Sequence, residues 1–240
     1  MAAQTSVTGN RAWLTPPTST PLVSETNDPI QPSISSWLFF LDQGFFTHLH
    51  FRVEPVLARP PDDIINILND EYDQPQGMEQ LVFRYFDSIH SWMPIISKKR
   101  MNRVLDCSGD NIQADTAFLL SCMKLLLHTP TSGTPPETLP MYRILKAFNL
   151  QLEMAGMQSL MVIQGGVLIA VYELGHAIYP AAYITVAQCA RQAISLGLHN
   201  QDPPQPFQQW GDWEERIRVW WFIVMLDRYV MIFLPADEMN

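Results

Sequence analysis

From residue 98 to residue 233 apolar side chains recur in blocks of helix length, and no stretch alternates apolar and polar residues as a half-buried strand requires. The blocks cover roughly 98–107, 112–128, 139–155, 160–177, 181–196 and 212–233, joined mostly by short connections. Before them, Asp62 and Asp63 suit the N-terminus of a short helix carrying Ile64, Ile65 and Leu68. Residues 76–90 follow, with Leu81, Tyr85 and Ile89 four apart on one face. Pro94 lacks the donor a helix needs, so Trp92, Pro94 and Ile95 should close that helix with a bulky apolar corner. Asp110 or Asn111 can cap the 112–128 block, Pro135 and Pro136 can precede the 139–155 block, and Gly197 suits a helix C-terminus. Successive apolar stripes joined by short loops must bury against one another. The expected fold is therefore all-α, an irregular multi-helix bundle, with no repeat period to suggest a solenoid.

The 240 residues are 47% apolar, enough for a substantial core. Residues 1–35 read as a flexible Pro/Ser/Thr-rich tail, and 36–240 as the helical domain, entered through Ser36-Trp37-Leu38-Phe39-Phe40-Leu41. Two runs invite comparison with a membrane span. The run 159–175 holds Gln164 and Glu173, and the run 219–234 holds Asp227 and Arg228. Both fall short of about 20 nearly uncharged residues, so buried helices and no membrane association are expected. The start Met1-Ala2-Ala3-Gln4 has no secretory pattern, and Cys107, Cys122 and Cys189 read as reduced thiols in or beside apolar helices.

A net charge of -9 opposes a phosphate backbone at long range. The one concentrated basic group outside the last helix is Lys98-Lys99-Arg100 with Arg103, which can hold phosphates weakly but cannot read bases. Motifs that carry chemistry are absent, and no metal or cofactor is expected. His48 and His50 are two apart, a poor spacing for a shared metal on a helix. Glu173 and His176 are three apart but occur as a single copy, which suits a local polar pair better than a di-metal box. Gly165-Gly166 has no phosphate-loop lysine after it and reads as a close helix contact.

The last helix has a different character. It runs through Trp213-Glu214-Glu215-Arg216-Ile217-Arg218-Val219-Trp220-Trp221 to Leu226-Asp227-Arg228. Glu214 and Arg218 have the favourable i,i+4 order, and Glu215 and Arg218 lie three apart. Asp227 and Arg228 interrupt a run that must otherwise bury, so each needs a partner if drawn inward. Glu215, Arg216, Arg218, Trp220, Trp221, Asp227 and Arg228 are accordingly the candidate structural or regulatory residues. Their expected role is an ionic and aromatic cluster that orients the helix.

The ordered pieces Ala190-Arg191-Gln192-Ala193-Ile194-Ser195-Leu196-Gly197-Leu198-His199, Trp213 to Trp221, and Leu226-Asp227-Arg228 resemble the middle regulatory domain of fungal binuclear-zinc-cluster transcription factors. Phe86, Trp92, Met93, Pro94 and Ile95 resemble that family's earlier aromatic-proline corner, so the likeness runs from about Gln80 to Leu234. It implies an all-helical, non-enzymatic, nuclear regulator of metabolic or secondary-metabolite genes. Its partners would be a transcription factor, a co-regulator or a small-molecule effector. The family's zinc module needs six close cysteines, whereas this chain has three and none before Cys107, so direct sequence-specific nucleic-acid binding is not expected. After Asp227 and Arg228 the family's usual Gly-Arg-Pro turn is replaced by Tyr229 to Phe233, as in a truncated member. The competing expectation is a helical enzyme or accessory protein of a biosynthetic pathway, with a pocket gathering Glu173 and His176.

Overall fold

In the computed structural model, residues 59–72, 77–107, 112–129, 135–200 and 210–233 are described. The expected tail, the Trp37 cluster, the His48 and His50 pair, and the Asp110 and Asn111 caps lie outside them. The described residues form eight α-helices and no strand: α1 Asp62–Tyr72, α2 Gly77–Ser88, α3 Lys98–Cys107, α4 Ala114–Leu127, α5 Pro140–Met154, α6 Leu160–Gly175, α7 Ala181–Ser195 and α8 Trp210–Phe233. A 3-10 turn, Pro136–Thr138, leads into α5. The fold is all-α, as the apolar blocks predict, and each block reproduces a helix to within about two residues, the ordinary uncertainty of helix ends.

The centre of the bundle is α6. It packs chiefly against α4 on one side and α7 on the other; α8 lies on α7 and reaches α6, while α1, α2 and α5 surround α4 and α3 rests on α2. In α4, ten of 14 residues are buried, and in α6, eleven of 16. A helix apolar on every side can only be stable when surrounded, which is why these two occupy the interior.

The Gly165-Gly166 pair makes this packing feasible. A Cβ at position 165 would stand 2.5 Å from the Phe118 ring on α4, and one at 166 would stand 2.9 Å from Cys189 Sγ on α7. Phe118 meets Phe148 of α5 edge-on, with ring centroids 5.7 Å apart. Close approach on both flanks of α6 thus requires the absence of two side chains.

Local chemistry sets the helix ends. Ser159 caps α6, accepting from the Val162 amide at 3.2 Å. At the end of α7, Gly197 adopts φ 69°, and the Gly197 and Leu198 amides donate to Ile194 O and Ala193 O, both at 2.9 Å, completing a Schellman turn. The N-cap of α4 is Gln113, whose side chain makes no capping bond. At the 89–97 corner, Met93, Ile95 and Ile96 are buried and Trp92 is exposed, so the aliphatic side chains anchor the turn.

Candidate functional site

Seven polar or charged residues are buried among the described ones, and two of them, Glu173 and Glu215, are fully buried carboxylates. A buried carboxylate is costly unless paired and hydrogen-bonded. Each organises a separate network.

Glu215 lies one turn into α8 and points into the junction of α3, α6 and the 89–97 corner. Its Oε1 accepts from the Ser97 amide at 2.8 Å, Arg100 Nη2 at 2.8 Å and Gln164 Nε2 at 2.7 Å. Gln164 also donates to Ile95 O at 2.6 Å and accepts from Arg100 at 3.0 Å. One carboxylate oxygen therefore ties α8 to the first turn of α3, to the middle of α6 and, through Gln164, to the corner. Next to it, Arg216 donates to Leu196 O at 2.7 Å. That places a cation at the C-terminus of α7, where the helix leaves carbonyls without intrahelical partners.

The second network joins α5, α6 and α7. Glu173 Oε1 accepts from Tyr142 OH at 2.7 Å and pairs with Lys146 Nζ at 2.8 Å, while its Oε2 accepts from Thr185 Oγ1 at 2.5 Å. Lys146 also donates to Thr185 Oγ1 at 2.6 Å. Burial, followed by the hydrogen bond to Glu173, holds the Tyr142 phenol well above its ordinary value. His176 belongs elsewhere: its Nδ1 lies 2.8 Å from Tyr172 O and its ring packs against Tyr172. Glu173 and His176 thus do not form the local pair their spacing suggests, because Glu173 turns into the α5–α7 interface.

The seven candidate residues of the last helix do not form one cluster. Glu215 is buried and Arg216 half-buried, as described above. Arg218 pairs with Glu214 at 3.4 Å, not with Glu215. Together with Lys98 it faces His90; burial, then these two cations, lower the His90 pKa. Trp220 is half-buried with its ring 6.1 Å from His199, whereas Trp221 is 53% exposed. Asp227 is half-buried, Arg228 is exposed, and neither makes an ion pair among the described residues. Ser97, Tyr142, Lys146 and Thr185 were not singled out from the sequence, and Arg100 was read there only as part of a basic group. The available signal was Gln164 and Glu173 inside an otherwise apolar block, since buried polar groups require partners.

A groove of about 500 Å³ opens between α2 and α3, lined by residues that include Glu79, Val82, Phe83, Phe86, Lys98 and Leu105. A smaller one near α1 and α5 is lined by Asp63, Ile64, Arg143 and Phe148, among others. Glu173 lines neither. No group of three or more metal-ligating side chains occurs among the described residues, and no described helix is long and apolar enough to cross a membrane.

Comparison with known proteins gives this architecture a context. Residues 82–234, from α2 through α8, match the fungal specific transcription factor domain. The chain is 39% identical over 185 residues to transcription factor BOA15 of Botryotinia fuckeliana (strain B05.10), covering 75% of this chain and 98% of that relative. It is 24% identical over 181 residues to transcription factor tazR of Aspergillus terreus (strain NIH 2624 / FGSC A1156), covering 68% of this chain but 27% of that longer protein. No solved structure matches it. The ordered motifs of α7 and α8, the all-helical architecture and the match across more than half of its length agree: the chain belongs to the fungal specific transcription factor domain family.

Proposed function

We propose that this chain is a nuclear, non-catalytic regulator of transcription, acting on metabolic or secondary-metabolite genes through contacts with a transcription factor, a co-regulator or a small-molecule effector. The family match over 82–234 carries the reading, and both relatives described above are named transcription factors. The two buried carboxylates support it too. Their hydrogen bonds hold helices together, and Glu173 lies away from both described grooves, so each has an architectural task.

The proposed mechanism is indirect. Within these 240 residues three cysteines are too few for a six-cysteine zinc cluster and the net charge of -9 disfavours a polyanion, so this region would act through protein or effector contacts rather than by reading DNA itself. Of the basic group on α3, Arg100 is committed to Glu215, which leaves fewer cations for phosphate. The groove between α2 and α3 has the volume of a small-molecule site and mixes aromatic with charged lining, which suits an effector.

Deletion of the gene and re-expression of the chain, read by reporters and a fluorescent fusion, test the proposal. The expected result is altered transcription of a defined gene set and nuclear residence. Unchanged transcription of every candidate target with exclusively cytoplasmic residence would overturn it. Fluorescence anisotropy of the purified chain should detect no sequence-selective DNA complex at physiological salt.

A further inference from the structure

Basic side chains are unevenly placed along the chain. Residues 84–103 hold five of its 15 basic residues and one of its 24 acidic residues, in a sequence whose net charge is -9. Arg100 turns inward to Glu215, but Arg84, Lys98, Lys99 and Arg103 are exposed, and none of these four makes an ion pair among the described residues. Their placement does not serve the free helix. Lys98 and Lys99 stand in the first turn of α3, which has no acidic residue, and there the helix dipole opposes a cation. Lys99 and Arg103 are four apart, where like charges repel.

Two large apolar side chains are exposed on the same segment of chain. Trp92, at the corner leading into α3, is 57% exposed, and Phe83, on the α2 wall of the groove that Lys98 also lines, is 65% exposed. Exposed aromatic side chains set among unpaired cations have the composition of an interface core, where aromatic residues and arginine are enriched.

We infer that this surface docks a short acidic segment of a partner protein, in which Asp and Glu residues flank an aromatic or large aliphatic side chain. The inference rests on the reading that the chain acts through a protein partner, and it names where that partner sits. Charge complementarity selects the occupant: the four exposed cations meet its carboxylates, while Trp92 and Phe83 cover its apolar side chain. A nucleic acid suits the surface less well. A long polyanion would run past these cations onto a chain that is acidic elsewhere, and its evenly spaced phosphates would also meet the exposed Asp87 and Asp106. A short peptide touches the cationic surface alone and can set uncharged residues beside those two carboxylates.

The test is fluorescence anisotropy of the full 240-residue chain with a labelled peptide of about 15 residues, in which Asp and Glu alternate with Phe and Leu. Micromolar binding is expected, weakening as salt is added. The same peptide with Asn and Gln in place of its acids should bind at least about tenfold more weakly. The acidic peptide should lose as much, about tenfold, on Lys99→Glu combined with Arg103→Glu, and on Trp92→Ala. All three positions are exposed and none lines the groove, so thermal melts should be unchanged and an effector site in the groove stays intact. No binding, equal binding of the amide peptide, or folded variants that bind as wild type does would overturn the inference. So would a DNA duplex of equal charge that binds more tightly than the peptide, which assigns the surface to nucleic acid. Any of these results beside altered reporter transcription strikes the docking surface alone and leaves the proposed function standing.

Discussion

Replacing Glu215 with alanine should loosen the start of α8 from the rest of the bundle. The substitution removes the acceptor shared by the Ser97 amide, Arg100 and Gln164, and leaves the Arg100 guanidinium, whose side chain is only 20% exposed, without its counter-charge. Removing one member of a buried ion pair costs about 3–5 kcal/mol. Arg100 retains some access to water and Gln164 keeps its bond to Ile95 O, so the low end, about 3 kcal/mol, applies. Against a total stability of about 5–15 kcal/mol that is a large loss. Glu215→Gln makes a sharper comparison. All three bonds fall on Oε1, which the amide retains as a carbonyl oxygen, while the buried and unpartnered Oε2 becomes an NH2 donor, so the lost charge and this unsatisfied donor together should cost about 1–3 kcal/mol. Urea unfolding followed by circular dichroism would measure both. Combining Glu215→Leu with Arg100→Met should recover most of the loss, because no charge is then left buried alone. If Glu215→Ala costs less than about 1 kcal/mol and matches Glu215→Gln, the anchoring role is wrong.

Other outcomes follow from the same packing. Asp227→Ala should change unfolding free energy by only about 0–1 kcal/mol, since Asp227 is half-buried and makes no ion pair among the described residues. If reporter regulation disappears while stability holds, Asp227 signals directly. Gly165→Ala should cost about 1–3 kcal/mol in the same unfolding assay, because its Cβ would press on the Phe118 ring; unchanged stability would mean that α4 and α6 can part freely. Burial raises the thiol pKa of Cys122 well above its ordinary value and that of Cys189 to about 12, so both should resist a disulfide reagent until the chain is unfolded. Rapid labelling of either in the native protein would contradict the packing of α4, α6 and α7. His90 has a folded pKa below 6.5, so between the two values the unfolded chain binds the extra proton. Its contribution is therefore complete above pH 6.5, is lost as pH falls, and levels off below the folded pKa. His90→Gln should flatten that part of the stability-against-pH curve, and an unchanged curve would refute the assignment.

The helices were legible in the sequence because their signals are local. Four-residue spacing in Leu81, Tyr85 and Ile89, the Pro94 stop and the Gly197 end all act through nearby backbone, and the structure places helices or turns accordingly. The family was legible for a similar reason, since the α7 and α8 motifs are linear and ordered. The orientation of charges was not. In α8 apolar residues occur on every side, so no polar face tells which of Glu214 and Glu215 turns inward. Only the arrival of α3 and α6, bringing Arg100 and Gln164 from 115 and 51 positions away, makes Glu215 the buried one. The same holds for Glu173, whose neighbour at i+3 was visible in sequence while its actual partners lie on α5 and α7. Local sequence determines helices because their hydrogen bonds close within four residues. Packing of distant segments decides which polar groups are buried, since a carboxylate can leave water only where those segments supply enough donors.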